Sequence, residues 1–472
     1  MTTECRRNKL EFQPCGARQV IGEFSGGTIT SDGGVLLLKE IDAKRKITSQ
    51  FAACFIDHRD KNRIEHQVEE LVAQRIYALA LGYEDLNDHD QLRSDPLLAS
   101  VIGKTDPTGN ERRRATDRGN ALAGKSTLNR LELRTDDPEK DGRYKKIAAS
   151  DEKIEEFFVN IFLQAHAEAP EQIILDLDAT DDTLHGRQEG RFFHGYYGGY
   201  CYLPLYVFCG DFLLCAKLQT ADKQPAAGAL SEIKRIISKV RRHWPEVRIL
   251  VRGDSGFCRE EIMGWCESQN VRYLFGLARN KRLEAMLSAR MSEAKKKFDT
   301  TGTAARVFSE MEYRTLDSWS RQRRVVGKAE YLEKGPNPRF VVTNLSQEEY
   351  DARTLYEDIY CARGEMENRI KEQQQELFAD RTSTRLLKSN QMRLWLSSVA
   401  YVLMNELRRT LLAETEISQA QCGTIRLKLL KIGAQVQVSV RRVLVRLASS
   451  YPYQELFLTI YQKLCVMEPL RC

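Results

Sequence analysis

Acidic residues stand within or at the end of two strongly apolar segments of the sequence. The segment IILDLDATDD contains Asp176 and Asp178, and the segment VRILVRGD ends at Asp254. Side chains alternate along a β-strand, so Asp176 and Asp178 would share one face. Burying carboxylates on such a strand costs several kcal/mol unless a cation or a hydrogen-bond donor compensates. Because converging carboxylates repel and a divalent cation relieves that repulsion, the two segments predict a metal-binding site.

A third acid, Glu367, lies in the segment YCARGEMENRIKEQQ. At about 100° per residue, one stripe of a helix over this segment carries five residues that could serve a site: Tyr360, Arg363, Glu367, Lys371 and Gln374. A helix packed beside a sheet could present Glu367 to the two aspartates, with Arg363 beside it for a phosphate. The same residues also form ordinary i,i+4 surface ion pairs, and the segment taken alone favours that second interpretation.

The elements that would position these acids begin at Gln172. The segments IILDLDAT, YCYLPLYVFC and FLLCAKLQT predict three strands, the last two joined by a tight turn at Gly210-Asp211. The following segments predict a helix that stops at Pro245 and then a strand, a helix and a strand. The order β-β-β-α-β-α-β is typical of a mixed sheet flanked by helices, the layout of an RNase H-like core. In that layout the first and fourth strands are neighbours, so Asp178 and Asp254 can converge.

The sequence as a whole predicts an α/β protein in five regions. They are a mostly helical N-terminal region (1–165), the first part of the mixed-sheet core (166–280), a β-rich insertion (281–346), the core helix with Glu367 (347–380) and a basic helical C-terminal region (381–472). The last region has far more Lys and Arg than Asp and Glu, whereas the whole chain has a net charge of only +6. A polyanion-binding surface would therefore be concentrated there, with a solvated basic face as the alternative.

Composition and cysteine spacing exclude several classes of protein. With 42% hydrophobic and 29% charged residues, the chain has the composition of a globular protein. Its 12 cysteines include no C-x-x-C pair and its 7 histidines show no finger-like spacing, so a zinc site is not expected. No apolar run predicts a membrane span, and the N-terminus lacks the apolar core of a signal peptide. We therefore expect a cytoplasmic protein with no membrane partner.

Three blocks of the sequence resemble the DDE transposases of bacterial insertion sequences that carry a Y-(2)-R-(3)-E-(6)-K signature. Asp178-Ala-Thr180 matches the first block, and RGDSGF, which contains Asp254, matches the second. Tyr360, Arg363 and Glu367 match the third block at the family's spacings, but Gln374 stands where the family usually has lysine. The likeness points to the IS-thirteen-eighty group and extends over nearly the full length, from LEFQP and GGTITSDGG to KIGAQV.

The resemblance implies an RNase H-like enzyme that binds the ends of its insertion sequence, cuts DNA and performs strand transfer. Asp178, Asp254 and Glu367 would be its catalytic acids and the ligands of two Mg²⁺ ions, or of Mn²⁺. The D-x-T match favours Asp178 over Asp176 as the first acid. In such enzymes two ions roughly 4 Å apart activate the nucleophile and stabilise the leaving oxygen. The expected partners are double-stranded DNA, as terminal inverted repeats and as target, and a second copy of the chain in the DNA complex.

The resemblance also implies DNA contacts away from the acids. Tyr360, Arg363 and Lys371 on the helix stripe are candidates, and the terminal regions are expected to bind DNA or to assemble the complex, which would associate with the nucleoid. Arg441 and Arg442 are candidate phosphate contacts because they are adjacent within an apolar run.

Two segments carry aromatic residues that could also meet DNA. Trp319 is flanked by arginines, which suits base stacking and makes Trp319, Arg323 and Arg324 candidate DNA contacts. A half-buried tryptophan on a strand pair is the alternative, and the segment favours it. The Gly-, His- and aromatic-rich loop over 185–197 could line the site or form a structural turn, and the sequence assigns it no role.

Two other functions are open on the sequence alone. A catalytically silent DNA-binding or regulatory protein could keep this fold, although three separated acids would then have no purpose. A nuclease that cuts DNA without joining it would use the same acids. Cleavage and strand-transfer assays separate the three hypotheses.

Overall fold

The computed structural model describes residues 9–468 except 135, 136, 138, 139 and 143. The chain divides into two compact units, one made of Met1–Ala148 with Val399–Cys472 and the other of Ala149–Ser398. All three predicted acids belong to the second unit. The predicted boundaries at residues 165 and 381 differ from this division, since residues 149–165 and 381–398 group with the unit that contains the acids.

The helices and strands of the described residues have the following bounds. The helices are α1 (Val35–Arg45), α2 (Ile47–Ala52), α3 (Val68–Leu81), α4 (His89–Leu92), α5 (Pro96–Ile102), α6 (Lys125–Glu132), α7 (Asp151–Gln164), α8 (Ala229–His243), α9 (Glu260–Ser268), α10 (Lys281–Thr301), α11 (Ala352–Thr354), α12 (Gly364–Leu377), α13 (Leu387–Leu407), α14 (Cys422–Ile425) and α15 (Gln454–Val466). The strands are β1 (Lys9–Cys15), β2 (Arg18–Glu23), β3 (Ile29–Thr30), β4 (Phe55–Asp57), β5 (Ile147–Ala149), β6 (Gln172–Ala179), β7 (Asp182–Thr183), β8 (Phe192–His194), β9 (Gly199–Tyr202), β10 (Leu205–Cys209), β11 (Phe212–Lys217), β12 (Arg248–Gly253), β13 (Arg272–Leu277), β14 (Ala305–Tyr313), β15 (Arg323–Leu332), β16 (Gly335–Pro336), β17 (Arg339–Thr343), β18 (Ala434–Val438) and β19 (Val443–Leu447).

One mixed sheet of nine strands forms the centre of the second unit. Its order is β11-β10-β6-β12-β13-β17-β15-β14, with β16 paired to β15. Strands β6, β10 and β11 are antiparallel, whereas β12 runs parallel to β6 and to β13. The predicted order of three strands, a helix, a strand, a helix and a strand is present as β6, β10, β11, α8, β12, α9 and β13. The short strands β7, β8 and β9, which were not predicted separately, lie between β6 and β10 and form their own sheet. The predicted neighbours β6 and β12 are paired.

Alternate residues of the central strands face two different hydrophobic layers. Leu175 and Leu177 of β6 and Val251 of β12 lie in the larger core, which also contains the apolar faces of α7, α8, α9 and α10. Leu250 of β12 lies in a smaller core on the other side, together with Leu355. Because strand side chains alternate, the acids of β6 point to the side of the smaller core.

The helical segment that covers the smaller core changes its pitch twice. After α11 it forms a π-helical turn over Leu355–Tyr360 and a 3-10 turn over Cys361–Arg363, and only then the regular helix α12. Helix α12 ends at Leu377, and the next residue, Phe378, caps it with a left-handed φ of 63°. Short π-helical turns are frequently found at functional sites. Here the irregular turns bring Tyr360 and Arg363 to the face of the sheet that carries the smaller core.

The block predicted as a β-rich insertion continues the central sheet. Strand β17 pairs with β13, and β15 then pairs with β17 and with β14. Helix α10 packs on β14 and β15, where Leu287 enters the larger core. The strands were predicted, but the sequence did not show that they would share the sheet of the core.

The first unit contains helices α1–α6 near its N-terminus and also the short strands β1–β4, so the prediction of a mostly helical region holds only in part. The C-terminal region, predicted as helical, contains the hairpin of β18 and β19, and β18 also pairs with β3. Valines that alternate along both strands explain this departure, since period-two patterns favour strands. Among the described helices, none has the length and apolarity needed to cross a membrane.

Candidate active site

Asp176 is held in a buried ion pair with Arg252. The Arg252 Nε donates to Asp176 Oδ1 at 2.5 Å and its Nη2 donates to Oδ2 at 2.7 Å. The third nitrogen, Nη1, donates to the backbone carbonyl of Ile359. Burial raises the pKa of Asp176, and the hydrogen bond from Arg252 opposes that shift. Sequence reasoning missed this pair, although an arginine within the apolar run VRILVRGD was a visible signal.

Asp178 and Asp254 stand at the same edge of the sheet. Strands β6 and β12 are parallel, and Leu177 of β6 pairs with Gly253 of β12. Each of these two residues is followed in the sequence by an aspartate, Asp178 or Asp254. Asp254 begins a 3-10 turn over Ser255–Phe257, and its Oδ1 accepts a hydrogen bond from the Gly256 N–H at 2.8 Å. The predicted convergence of the two strand ends is therefore present in the structure.

Arg363 connects the helix to this edge. Its Nη1 lies 3.6 Å from Asp178 Oδ1, and its Nη2 donates to Glu367 Oε1 at 2.6 Å. One guanidinium thus contacts an acid of the first strand and the acid of helix α12. The Arg363–Glu367 contact is the i,i+4 pair of the alternative interpretation, and the same guanidinium also lies beside Asp178 at the strand ends.

The acids influence one another electrostatically. Burial raises the pKa of Asp178 to about 6, the charge of Arg363 lowers it, and the charges of Asp254 and Glu367 raise it again. Burial lowers the pKa of Arg363, but Asp178 and Glu367 more than offset this and hold it above its usual value. A carboxyl with a raised pKa among like charges is a recurrent property of functional sites.

The donor set fits a divalent cation. Asp178, Asp254 and Glu367 supply carboxylate oxygens, the ligands that Mg²⁺ and Mn²⁺ prefer. These described carboxylates do not all approach one another within 4.8 Å, and Arg363 lies between two of them. Of the three acids, Glu367 is the one whose side chain can change its rotamer, because 42% of it is exposed.

Tyr360 packs against the backbone beside the second acid. A Cβ on Gly276 would lie 2.6 Å from the Tyr360 Oη and 2.9 Å from the Ser255 N. Glycine at this position of β13 therefore permits the close approach of the tyrosine to the residue that follows Asp254. Burial raises the pKa of Tyr360, so its hydroxyl keeps its proton.

Gln374 joins helix α12 to strand β7. Its Nε2 donates to Asp182 Oδ1 at 2.8 Å and to the Asp181 carbonyl at 3.2 Å. Asp182 is fully buried, and that burial raises its pKa to about 8. Gln374, for which the resemblance in sequence led us to expect a lysine, thus makes contacts within the chain.

The predicted stacking role of Trp319 does not agree with the structure. Trp319 is only 5% exposed and belongs to the larger core, where its ring meets Tyr313. Arg323 is also buried and donates to Glu260 and Glu267.

Arg324, the other arginine predicted to bind DNA from this block, is likewise engaged. Its guanidinium donates to Glu310 and to the backbone carbonyls of Leu345, Ser346 and Tyr350. In this structure Trp319 is buried and both arginines donate to groups of their own unit, whereas the alternative interpretation concerned the tryptophan alone.

Three other predicted DNA contacts are exposed. Lys371 lies on α12 one turn beyond Glu367. In the first unit, Arg441 and Arg442 lie at the turn between β18 and β19, next to the fully exposed Val440.

The sequence matches the model of one known protein family. The model of the family described as "Transposase DDE domain group 1" matches residues 12–469. No curated protein matches the sequence. Among solved structures, the cryo-EM structure of the piggyBac transposase synaptic complex with hairpin DNA is similar at 10% sequence identity. The similarity covers 85% of this chain and 79% of that chain, with a TM-score of 0.40.

Proposed function

Because the family model spans nearly all of it, the chain belongs to the DDE transposases, and we propose that it cuts DNA and performs strand transfer with Asp178, Asp254 and Glu367. We further propose that it moves a bacterial insertion sequence of the IS-thirteen-eighty group and that its core is RNase H-like. The strand order β11-β10-β6-β12-β13 supports the proposed core.

One observation carries this proposal. The carboxyl ends of β6 and β12 lie side by side, and the Arg363 guanidinium joins Asp178 of β6 to Glu367 of α12. Two acids that are far apart in sequence thus share one cation, and the third acid, Asp254, follows the strand next to that of Asp178, which supports one common site.

The three acids would hold divalent cations, and we propose two Mg²⁺ ions, with Mn²⁺ as a substitute. When bound, such ions supply an activated water or 3′-hydroxyl and stabilise the leaving oxygen of the phosphodiester. Asp176 would take no part, because Arg252 occupies both of its oxygens.

Arg363 would bind the DNA phosphate at the reaction centre. Its buried Nη1 has no hydrogen-bond partner among the described residues, although it faces Asp178. A guanidinium donates to phosphate oxygens and stabilises the charge that develops on them. Lys371, exposed one turn away, would contact the DNA backbone nearby.

The proposed partners are double-stranded DNA, as terminal inverted repeats and as target, and a second copy of the chain in the DNA complex. The exposed Arg441 and Arg442 would contact phosphates, which gives the first unit a part in holding the DNA.

Cleavage of the element's own end tests the proposal. The substrate is a labelled duplex that contains the terminal repeat flanking the coding region, incubated with Mg²⁺ and a target plasmid. We expect the wild type to yield nicked and strand-transfer products, and Asp254→Asn to lose roughly a hundred- to a thousandfold in rate while it still binds the duplex. Asparagine at this position can still accept the hydrogen bond from Gly256, so the turn should be kept.

Asp358→Asn is the matched control, since Asp358 is exposed on the π-helical turn of the same segment. Equal cleavage by wild type and Asp254→Asn would overturn the assignment of the acids. A wild type that binds the end without cutting it would indicate a silent DNA-binding protein, and nicking without joining would indicate a nuclease.

A further inference from the structure

A hairpin of exposed aromatic residues follows the first acid-bearing strand. We call residues 191–200 the aromatic hairpin, which is formed by β8, a turn and the start of β9. Tyr196 at its turn is 86% exposed and Phe193 is 59% exposed. Phe192, Tyr197 and Tyr200 are exposed as well. Large apolar groups clustered on a surface usually mark a binding site.

The rings are held in a defined arrangement. Phe193 pairs with Tyr200 across the two strands, and their rings meet edge to face with centroids 5.7 Å apart. The Arg191 guanidinium lies over the Tyr200 ring at 3.9 Å. At the turn, Tyr196 and Tyr197 meet edge to face at 4.9 Å, and the Gly198 N–H donates to the His194 carbonyl at 2.9 Å.

The aromatic hairpin is anchored close to the proposed catalytic acids. Strand β9 pairs with β7, which begins at Asp182, and the Leu184 N–H donates to the Tyr200 carbonyl at 2.8 Å. Strand β7 follows the end of β6, the strand of Asp178, after only a short turn. Burial and the charges of Asp181 and Asp178 raise the pKa of Tyr197 to about 12, as expected for a ring beside these carboxylates.

The hairpin carries one arginine, Arg191, while its turn lies beside carboxylates. Within the described part of the chain, the Arg191 guanidinium lies over the Tyr200 ring and donates to the Gly186 carbonyl. The acid nearest to Arg191 in sequence is Glu189. Its carboxylate accepts a hydrogen bond from the Leu387 N–H and is therefore directed at the start of helix α13. Exposed rings and a guanidinium that lies over one of them therefore stand together beside the acids at which a phosphodiester would be cut.

We propose that the aromatic hairpin stacks against unpaired bases of the DNA end next to the scissile phosphate. The inference rests on the proposed function, and it assigns to Phe193, Tyr196 and Tyr197 the role that the buried Trp319 does not fill. Aromatic faces bind any unpaired base by stacking, and an adjacent arginine adds attraction to the backbone. A fully paired duplex offers no free base faces, so the hairpin should prefer opened DNA.

A fluorescent base reports such stacking directly. The probe is a short oligothymidylate that carries one aminopurine, titrated with the full chain in EDTA so that no cleavage occurs. We expect wild type to quench the aminopurine, and the double variant Phe193→Ala/Tyr196→Ala to bind roughly 5- to 100-fold more weakly with the quench abolished. Tyr196→Phe should retain both, because stacking needs the ring and not the hydroxyl.

Phe24→Ala is the matched control, since Phe24 is 95% exposed in the other unit. Thermal denaturation of each variant checks that the fold is intact. An unchanged affinity and quench in the double variant would overturn the inference, as would a shift of the chain from dimer to monomer with DNA binding unaltered. Failure of the proposed function is distinguishable, because it would appear as loss of cleavage in the wild type.

Discussion

At the scale of single residues, Asp182 is a carboxyl whose burial moves its pKa far from the ordinary range. It is fully buried, one of its oxygens accepts a hydrogen bond from Gln374, and the other has no partner among the described residues. Burial raises its pKa from 3.8 to about 8. A carboxyl in this position is most stable with its proton, because an unpaired charge in the interior is costly.

This pKa makes the stability of the protein depend on pH. Between pH 3.8 and about 8 the native chain keeps a proton that the unfolded chain releases, so the free energy of unfolding should fall as the pH rises. Asp182→Asn keeps the bond to Gln374 without a titratable group. We expect it to be more stable than wild type by a few kcal/mol at about pH 9 and equal to it at about pH 4.

Urea denaturation at both pH values measures the effect, with the exposed Asp222→Asn as the control. A wild type and an Asp182→Asn variant with parallel pH profiles would show that Asp182 is ionised in the native state.

At the scale of elements, Arg252 holds three parts of the fold together. From β12 it pairs with Asp176 on β6 and donates to the Ile359 carbonyl in the helical segment before α12. Arg252→Met leaves Asp176 buried without a cation and frees the helical segment. Removal of one partner from a buried pair costs about 3–5 kcal/mol.

Arg248→Met on the same strand is the control, since the Arg248–Glu171 pair is exposed and its loss should cost less than about 1 kcal/mol. Denaturation of the two variants gives the comparison. If both variants were destabilised by the same small amount, the proposed connection of the three elements would be wrong.

The elements of the core were predictable because their signals are local. Apolar runs and turn residues gave the strands and helices of the core, and alternation put Asp176 and Asp178 on one face. The interactions that decide their roles are not local. Arg252 is remote from Asp176 in sequence but stands opposite to it on the neighbouring strand, and although an arginine in an apolar run was a signal, its partner was visible only in the structure.

Other features could not be predicted for the same physical reason. The burial of Trp319 depends on its packing against Tyr313 and the larger core. The pairing of β17 with β13 depends on which edge strand of the central sheet is free to form hydrogen bonds. The hairpin of β18 and β19 is different, because its alternating valines were a local signal that the basic composition of the region concealed.

At the scale of the whole molecule, the exposed Arg441 and Arg442 test whether the first unit binds DNA phosphates. Replacing both with alanine should weaken binding of any duplex and reduce the slope of log affinity against log salt by about 1 for each phosphate that is no longer bound. Fluorescence anisotropy at several salt concentrations measures this. Arg290→Ala on the exposed side of α10 is the control, and an unchanged slope in the double variant would exclude phosphate binding at this turn.

The position of Arg363 has a consequence for how the protein matures. Its side chain lies against Asp178 and Glu367, so the newly made polypeptide carries its own counter-charge for these acids. Folding would then not depend on the proposed magnesium ions, in contrast to small zinc domains that are unfolded without their ion. We expect the chain to fold in a chelating buffer, and the proposed ions to bind afterwards.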